Sequence, residues 1–131
     1  MLRAAMLARL FGPFFIFAGV MHFVIPRTYA AIVPDWVPGT REQVVYASGV
    51  AEIVGGAATM HPRTRRFGSL FSIFTLIAVF PANVGMALNA NRYEVPGGTV
   101  SLWARLPFQA LFIAWAVAAG RDRSDERPAA R

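Results

Sequence analysis

Ser48-Gly49-Val50-Ala51-Glu52-Ile53-Val54-Gly55-Gly56 places one carboxylate in the middle of an apolar run. Without Glu52, residues 43–60 would read as an ordinary membrane-spanning helix. A charge at bilayer depth costs at least ~2.5–3.5 kcal/mol on insertion scales, so such a residue faces a bundle interior or a wet cavity. The fold therefore turns on what surrounds Glu52.

The rest of the chain is as poor in charge as this stretch. Of 131 residues, 56% are hydrophobic and 15% charged, where a soluble domain carries about a quarter charged. The deficit is concentrated in four long apolar gaps, a membrane pattern rather than a disordered one. Net charge is +6 and every basic side chain is Arg. The arginines sit at the ends of apolar runs, so they read as a topology signal and not as a nucleic-acid surface. No cysteine is present, which excludes disulfides, thiol exchange and Cys-ligated iron–sulfur clusters.

Four spans are predicted, over about 8–26, 43–60, 67–88 and 102–120. A bilayer core needs ~20 residues, range ~17–25, and lipid does not tolerate unpaired backbone, so each span is expected to be a helix. Short connections then predict an all-α, up-down transmembrane four-helix bundle over residues 1–120. Residues 121–131 are mixed in charge and are expected to form a disordered cytoplasmic tail. The first run lacks a small-x-small cleavage site, so it is expected to remain a span rather than act as a signal peptide.

Arginine placement sets the orientation. Arg3, Arg9, Arg63, Arg65, Arg66, Arg121, Arg123, Arg127 and Arg131 fall on one side; Arg27, Arg41, Arg92 and Arg105 fall on the other. This bias predicts both termini in the cytoplasm of a cell inner membrane. The first connection, with Tyr29, Pro34, Trp36 and Pro38, is too apolar for a free loop. It is expected to lie in the outer interface or to dip in as a re-entrant lid. Pro96-Gly97-Gly98 marks a turn in the third connection.

Depth sorts the polar residues. At ~1.5 Å per helical residue, Ser48 lies roughly 7 Å and Glu52 roughly 14 Å from the outer end of the second span. His22 lies roughly 6 Å in, Asn83 roughly 9 Å, Arg105 roughly 4–5 Å and Gln109 roughly 10 Å. All six fall in the outer half; the inner half holds hydroxyls such as Thr59, Ser72 and Thr75 in place of strongly polar groups. Helical spacing gives each of these groups a packing face. Gly12, Phe15, Gly19, His22 and Pro26 form a seam on the first span. Ser48, Glu52 and Gly56 form one on the second, Gly68, Ser72, Thr75, Val79 and Asn83 on the third, and Arg105, Gln109, Phe112 and Ala116 on the fourth. Pro81 is expected to kink the third span beside Asn83.

Each residue has a plain reading beside the sharper one. Glu52 is either a structural group paired with Arg105 or His22, or a ligand- or proton-handling one; intramembrane ionisable groups lean to the second. His22 reads equally as a bonded core histidine. Asn83 suits capping of backbone freed by Pro81, and Arg105 suits snorkelling to the headgroups. A haem is disfavoured because His22 and His61 fall at opposite ends, which leaves a His22–Met86 pair as the one conceivable axial set. A metal site is not expected, since His22 and Glu52 are too few ligands.

Gly19-Val20-Met21-His22-Phe23, then Pro26, Tyr29 and Pro34, then the Glu52 stretch, then Phe80-Pro81-Ala82-Asn83 resemble the DoxX-like membrane proteins, over roughly residues 8 to 120. The resemblance implies a four-helix membrane bundle and kinship with small subunits linked to quinone-dependent sulfur oxidation and with maturation factors for redox enzymes. Without cysteine, no thiol chemistry of a relative carries over. The family's polar positions map here to His22, Glu52 and Asn83.

The expected function is a small integral inner-membrane protein, not an enzyme on its own, with an outward-facing polar pocket. It would bind a small molecule such as a quinone as an accessory subunit of a redox system. Glu52 would exchange a proton, His22 and Asn83 would bond the ligand, and Ser48 and Gln109 would add polar groups. Arg105 would guard the entrance, and Phe15, Phe80, Trp36 and Tyr29 would line the walls. Two alternatives stay open: a non-enzymatic scaffold or assembly factor, and a small solute or proton transporter. Expected partners are the lipid bilayer, a redox partner protein and a second copy of the chain; nucleic acid is not expected.

Overall fold

The computed structural model describes residues 2–93, 95 and 97–121. Those residues are helical with no strand. The helices are α1 (Leu2–Val24), α2 (Pro26–Ala30), α3 (Arg41–Met60), α4 (Arg65–Leu88) and α5 (Gly98–Gly120), with a 3-10 turn at Ala90–Arg92. The tail expected over 121–131 lies outside the described residues from 122 on.

The four long helices close a ring in which α1 packs on α3, α3 on α4, α4 on α5 and α5 on α1. Neighbours run antiparallel. Gly12 lies against Gly56 and Gly19 against Gly49. Gly68 lies against Thr59. Asn83 bonds Gln109, Ser69 bonds Ala116, and the Trp115 indole N–H donates to the Leu7 carbonyl at 2.6 Å.

Three of the helices are long and apolar enough to cross a membrane: α1 from Met6 to Val24, α4 and α5. The outer surface agrees with this, since Phe17, Phe74 and Leu111 are each more than 60% exposed. Large exposed apolar surface on a water-soluble monomer would invite association; against lipid tails it is the natural exterior. The protein is therefore a membrane protein. α3 is the exception among the long helices. It carries Arg41, Glu42 and Glu52 and falls short of the others in hydropathy.

In lipid, apolar contact gives little net drive between helices, so close packing and interhelical hydrogen bonds must supply it. The α1–α3 contact shows how. A Cβ on Gly19 would sit 2.6 Å from the Gly49 carbonyl oxygen, and one on Gly56 would sit 2.7 Å from the Gly12 carbonyl oxygen. Two glycine pairs thus let the backbones touch. Elsewhere Ser69 Oγ donates to the Ala116 carbonyl at 2.7 Å and joins α4 to α5.

Several boundaries differ from expectation. Pro26 does not end the first span; it begins α2, as proline does at a first helical position. α5 starts at Gly98, earlier than residue 102, after Gly97 turns the chain with φ 85°. Prolines lie inside α1 and α5 as well as α4, at Pro13, Pro107 and Pro81.

Two apolar clusters frame the interior. One gathers Phe11, Phe15, Leu76, Ala116 and Ala119 toward the end of the bundle where α3 leads into α4. The other gathers Ile32, Met86, Ala87 and Leu102 at the opposite end. A gap remains between them.

Candidate functional site

The gap is a cavity of about 770 Å³, lined by α1, α3, α4, α5 and the connection that follows α1. Its volume falls in the ~300–1,000 Å³ range of small-molecule sites. Leu76 and Phe112 close it toward the lower cluster, while Ile32 and Trp36 cover it from the connection. That cover is held in place at several points. Ile32 is buried in the upper cluster, and the Trp36 indole reaches over to Gly85 of α4. Gly39 turns the chain with φ 90°. Thr40 and Gln43 then form a reciprocal capping box that starts α3, and Arg41 pairs with Asp35 of the connection.

The glycine contact between α1 and α3 sets the charged corner of the site. A Cβ on Gly49 would meet the Gly19 carbonyl and the His22 Cβ, both at 2.9 Å; one on Gly19 would meet the Glu52 Cβ at 3.0 Å. Only with both side chains absent do the helices approach closely enough to bring His22 and Glu52 together. His22 Nδ1 then lies 3.3 Å from Glu52 Oε2.

That contact is not a hydrogen bond. The Nδ1 proton goes to the Ala18 carbonyl at 2.8 Å, which leaves Nε2 as the acceptor of the ring. The His22 ring stacks on Tyr29 with centroids 4.0 Å apart and planes 19° apart. Glu52 Oε2 is buried and has no hydrogen-bond partner. A buried carboxylate oxygen normally carries several bonds, and leaving one unmet costs about 1–3 kcal/mol. Tyr29 faces the same corner. Burial pushes its hydroxyl up from the ordinary tyrosine value, the Glu52 charge adds to this and Arg105 partly opposes it. The hydroxyl is therefore a neutral donor at physiological pH.

The opposite wall is a polar chain between α4 and α5. The Asn83 amide donates to Gln109 Oε1 at 2.7 Å, and Gln109 Nε2 donates to the Leu76 carbonyl. Pro81 and Pro107 have no N–H, so each removes a rung from its helix beside this wall. Asn83 does not cap the freed carbonyl, as the sequence suggested; it engages the neighbouring helix through Gln109.

The structure brings Glu52, His22, Asn83, Ser48, Gln109 and Arg105 to one cavity, together with Tyr29 and Trp36. Arg105 is half-buried on the wall; among the described residues the ion-pair contacts are His22–Glu52 and Arg41–Asp35, so Arg105 does not pair with Glu52. Two expected wall residues are corrected. Phe15 follows Phe11 by one helical turn, packs on it at 5.0 Å and is buried in the lower cluster. Phe80 falls outside the α4 seam of Leu76, Val79, Asn83 and Met86, and points outward. Met86, considered in the sequence only as a partner of His22, and Phe108, not expected there, also line the cavity. Continuing the Val79–Asn83 seam by three residues would have found Met86.

A family model, described as Domain of unknown function (DUF8561), matches residues 11–120. The chain belongs to that family. The matched span contains every residue that lines the cavity and most of every long helix. No curated protein and no solved structure matches the chain.

Proposed function

We propose that this protein is a multi-pass inner-membrane protein whose cavity opens to the outer face and binds a small molecule with a quinone-like headgroup, as an accessory subunit of a membrane redox system. In this reading the ring of helices is an up-down transmembrane bundle with both termini in the cytoplasm, and the connection 31–39 is a lid at the outer interface. One observation carries it: seven polar side chains from the four long helices, His22, Ser48, Glu52, Asn83, Ser101, Arg105 and Gln109, line a single cavity with Tyr29 of α2, and most of the remaining lining is apolar. Bundle glue alone does not need a cavity of that size.

The residues fit such a headgroup. Glu52 Oε2 is a buried oxygen without a partner, beside Nδ1 of His22, whose ring stacks on Tyr29. A bound quinone would supply two-electron, two-proton chemistry that the side chains lack. The chain's part is to hold and move a proton at Glu52, to orient the ring with His22 and Asn83, and to screen the mouth with Arg105 and Trp36. The redox association comes from the resemblance to DoxX-like proteins alone; the family description assigns no activity.

The test is a titration of the detergent-purified protein with a short-chain quinone. Glu52→Gln is expected to fold and to lose affinity by roughly tenfold or more, about 1.4 kcal/mol. Unchanged quinone affinity in that variant sinks the proposal. The Asn83–Gln109–Leu76 chain favours a second reading, a scaffold or assembly factor in which the polar groups only hold the bundle. It predicts that Glu52→Gln lowers bundle stability while the wild-type protein binds no quinone.

A further inference from the structure

A second hollow lies at the far end of the bundle from the cavity. It measures about 580 Å³ and sits between α4 and α5, with Leu70, Ile73 and Val117 as walls and Arg66 and Arg121 at its mouth. Both helices are apolar and long enough to cross a membrane. α4 begins at Arg65 and α5 ends at Gly120, so the two arginines lie where the chain leaves the apolar layer.

The floor is already satisfied. Ser69 Oγ gives its proton to the Ala116 carbonyl at 2.7 Å, so it has no donor left for a ligand. That bond holds α4 close to α5, and a Cβ on Gly120 would run into the Ser69 side chain. The groove is therefore apolar along its length and cationic at one end. Among the described residues, Arg63 lies in the adjacent turn and Arg65 opens α4, whereas Asp35 and Glu42 lie at the opposite end of the bundle.

We propose that this groove binds an anionic phospholipid, its phosphate between Arg66 and Arg121 and the start of an acyl chain along Leu70, Ile73 and Val117. Guanidinium forks bind phosphate in bidentate fashion, and basic pockets between membrane helices take anionic headgroups. The apolar walls select a lipid over a free anion. The site is remote from Glu52 and is independent of the quinone proposal.

Native mass spectrometry of the full chain in neutral detergent tests it, with phosphatidylglycerol and phosphatidylcholine of matched acyl chains as probes. The wild-type protein is expected to keep one phosphatidylglycerol per chain with a preference of about tenfold over phosphatidylcholine. Arg66→Gln/Arg121→Gln is expected to abolish the preference with helicity unchanged by circular dichroism. Arg92→Gln, at the opposite end, is expected to keep it, and millimolar inorganic phosphate is expected not to displace the lipid. Equal binding of the two lipids, a preference that survives the double variant, or displacement by phosphate overturns the proposal.

Discussion

Gln109 and Ser69 both join α4 to α5, but they do not cost the same to remove. Ser69→Ala loses one hydroxyl bond to the Ala116 carbonyl, and interhelical bonds in membranes average ~0.6 kcal/mol. Gln109→Leu strips partners from the Leu76 carbonyl and from Asn83 together, and each stranded buried group costs about 1–3 kcal/mol. Unfolding in detergent should therefore show a loss of about 2 kcal/mol for Gln109→Leu and well under 1 kcal/mol for Ser69→Ala. Equal losses would mean that the polar wall does not act as a unit. That Glu52, His22 and Gln109 face one interior space was legible in the sequence because polar groups are rare in such runs and helical rise gives their depth. Their partners were not. That Nδ1 of His22 serves Ala18 rather than Glu52 depends on side-chain angles that spacing does not encode.

At the scale of the helix, the α1–α3 contact decides whether the site exists. Gly19→Val and Gly49→Val each drive a side chain into the facing backbone carbonyl, which cannot yield as a flexible side chain would. Overpacking costs ~1–3 kcal/mol, and the backbone obstacle puts these variants at the upper end. Gly85→Ala is the control: its Cβ would meet only the Trp36 indole nitrogen at 3.8 Å, and a helical Gly→Ala change stabilises by about 0.5–1 kcal/mol. Thermal unfolding that ranks Gly85→Ala with the other two contradicts this packing account. The α1 glycines stood out in the sequence as a seam; on α3 the seam drawn through Ser48, Glu52 and Gly56 includes one of the two contacting glycines, Gly56, and leaves out the other, Gly49. In a membrane helix both the lipid face and the packed face are apolar, so periodicity separates them poorly. The same ambiguity placed Phe15 and Phe80 on the cavity wall. The second span was expected from residue 43, whereas α3 starts at Arg41, where the reciprocal capping box of Thr40 and Gln43 sets its first turn.

For the whole molecule, the proposed orientation predicts which end faces out. The chain has no cysteine, so single introduced thiols report cleanly. In intact cells a membrane-impermeant maleimide should label Arg92→Cys and should reach Arg63→Cys only after permeabilisation. The reverse pattern overturns the orientation and moves the cavity to the cytoplasmic side. Whether the Glu52 cavity holds a small molecule is read out most directly by native mass spectrometry of the detergent-purified protein. One small-molecule adduct per chain, of a mass matching a quinone, is expected on the wild-type protein, and its loss is expected in Glu52→Gln. A wild-type protein that stays without an adduct when saturated with quinone, or an adduct that survives Glu52→Gln undiminished, would contradict the proposed binding.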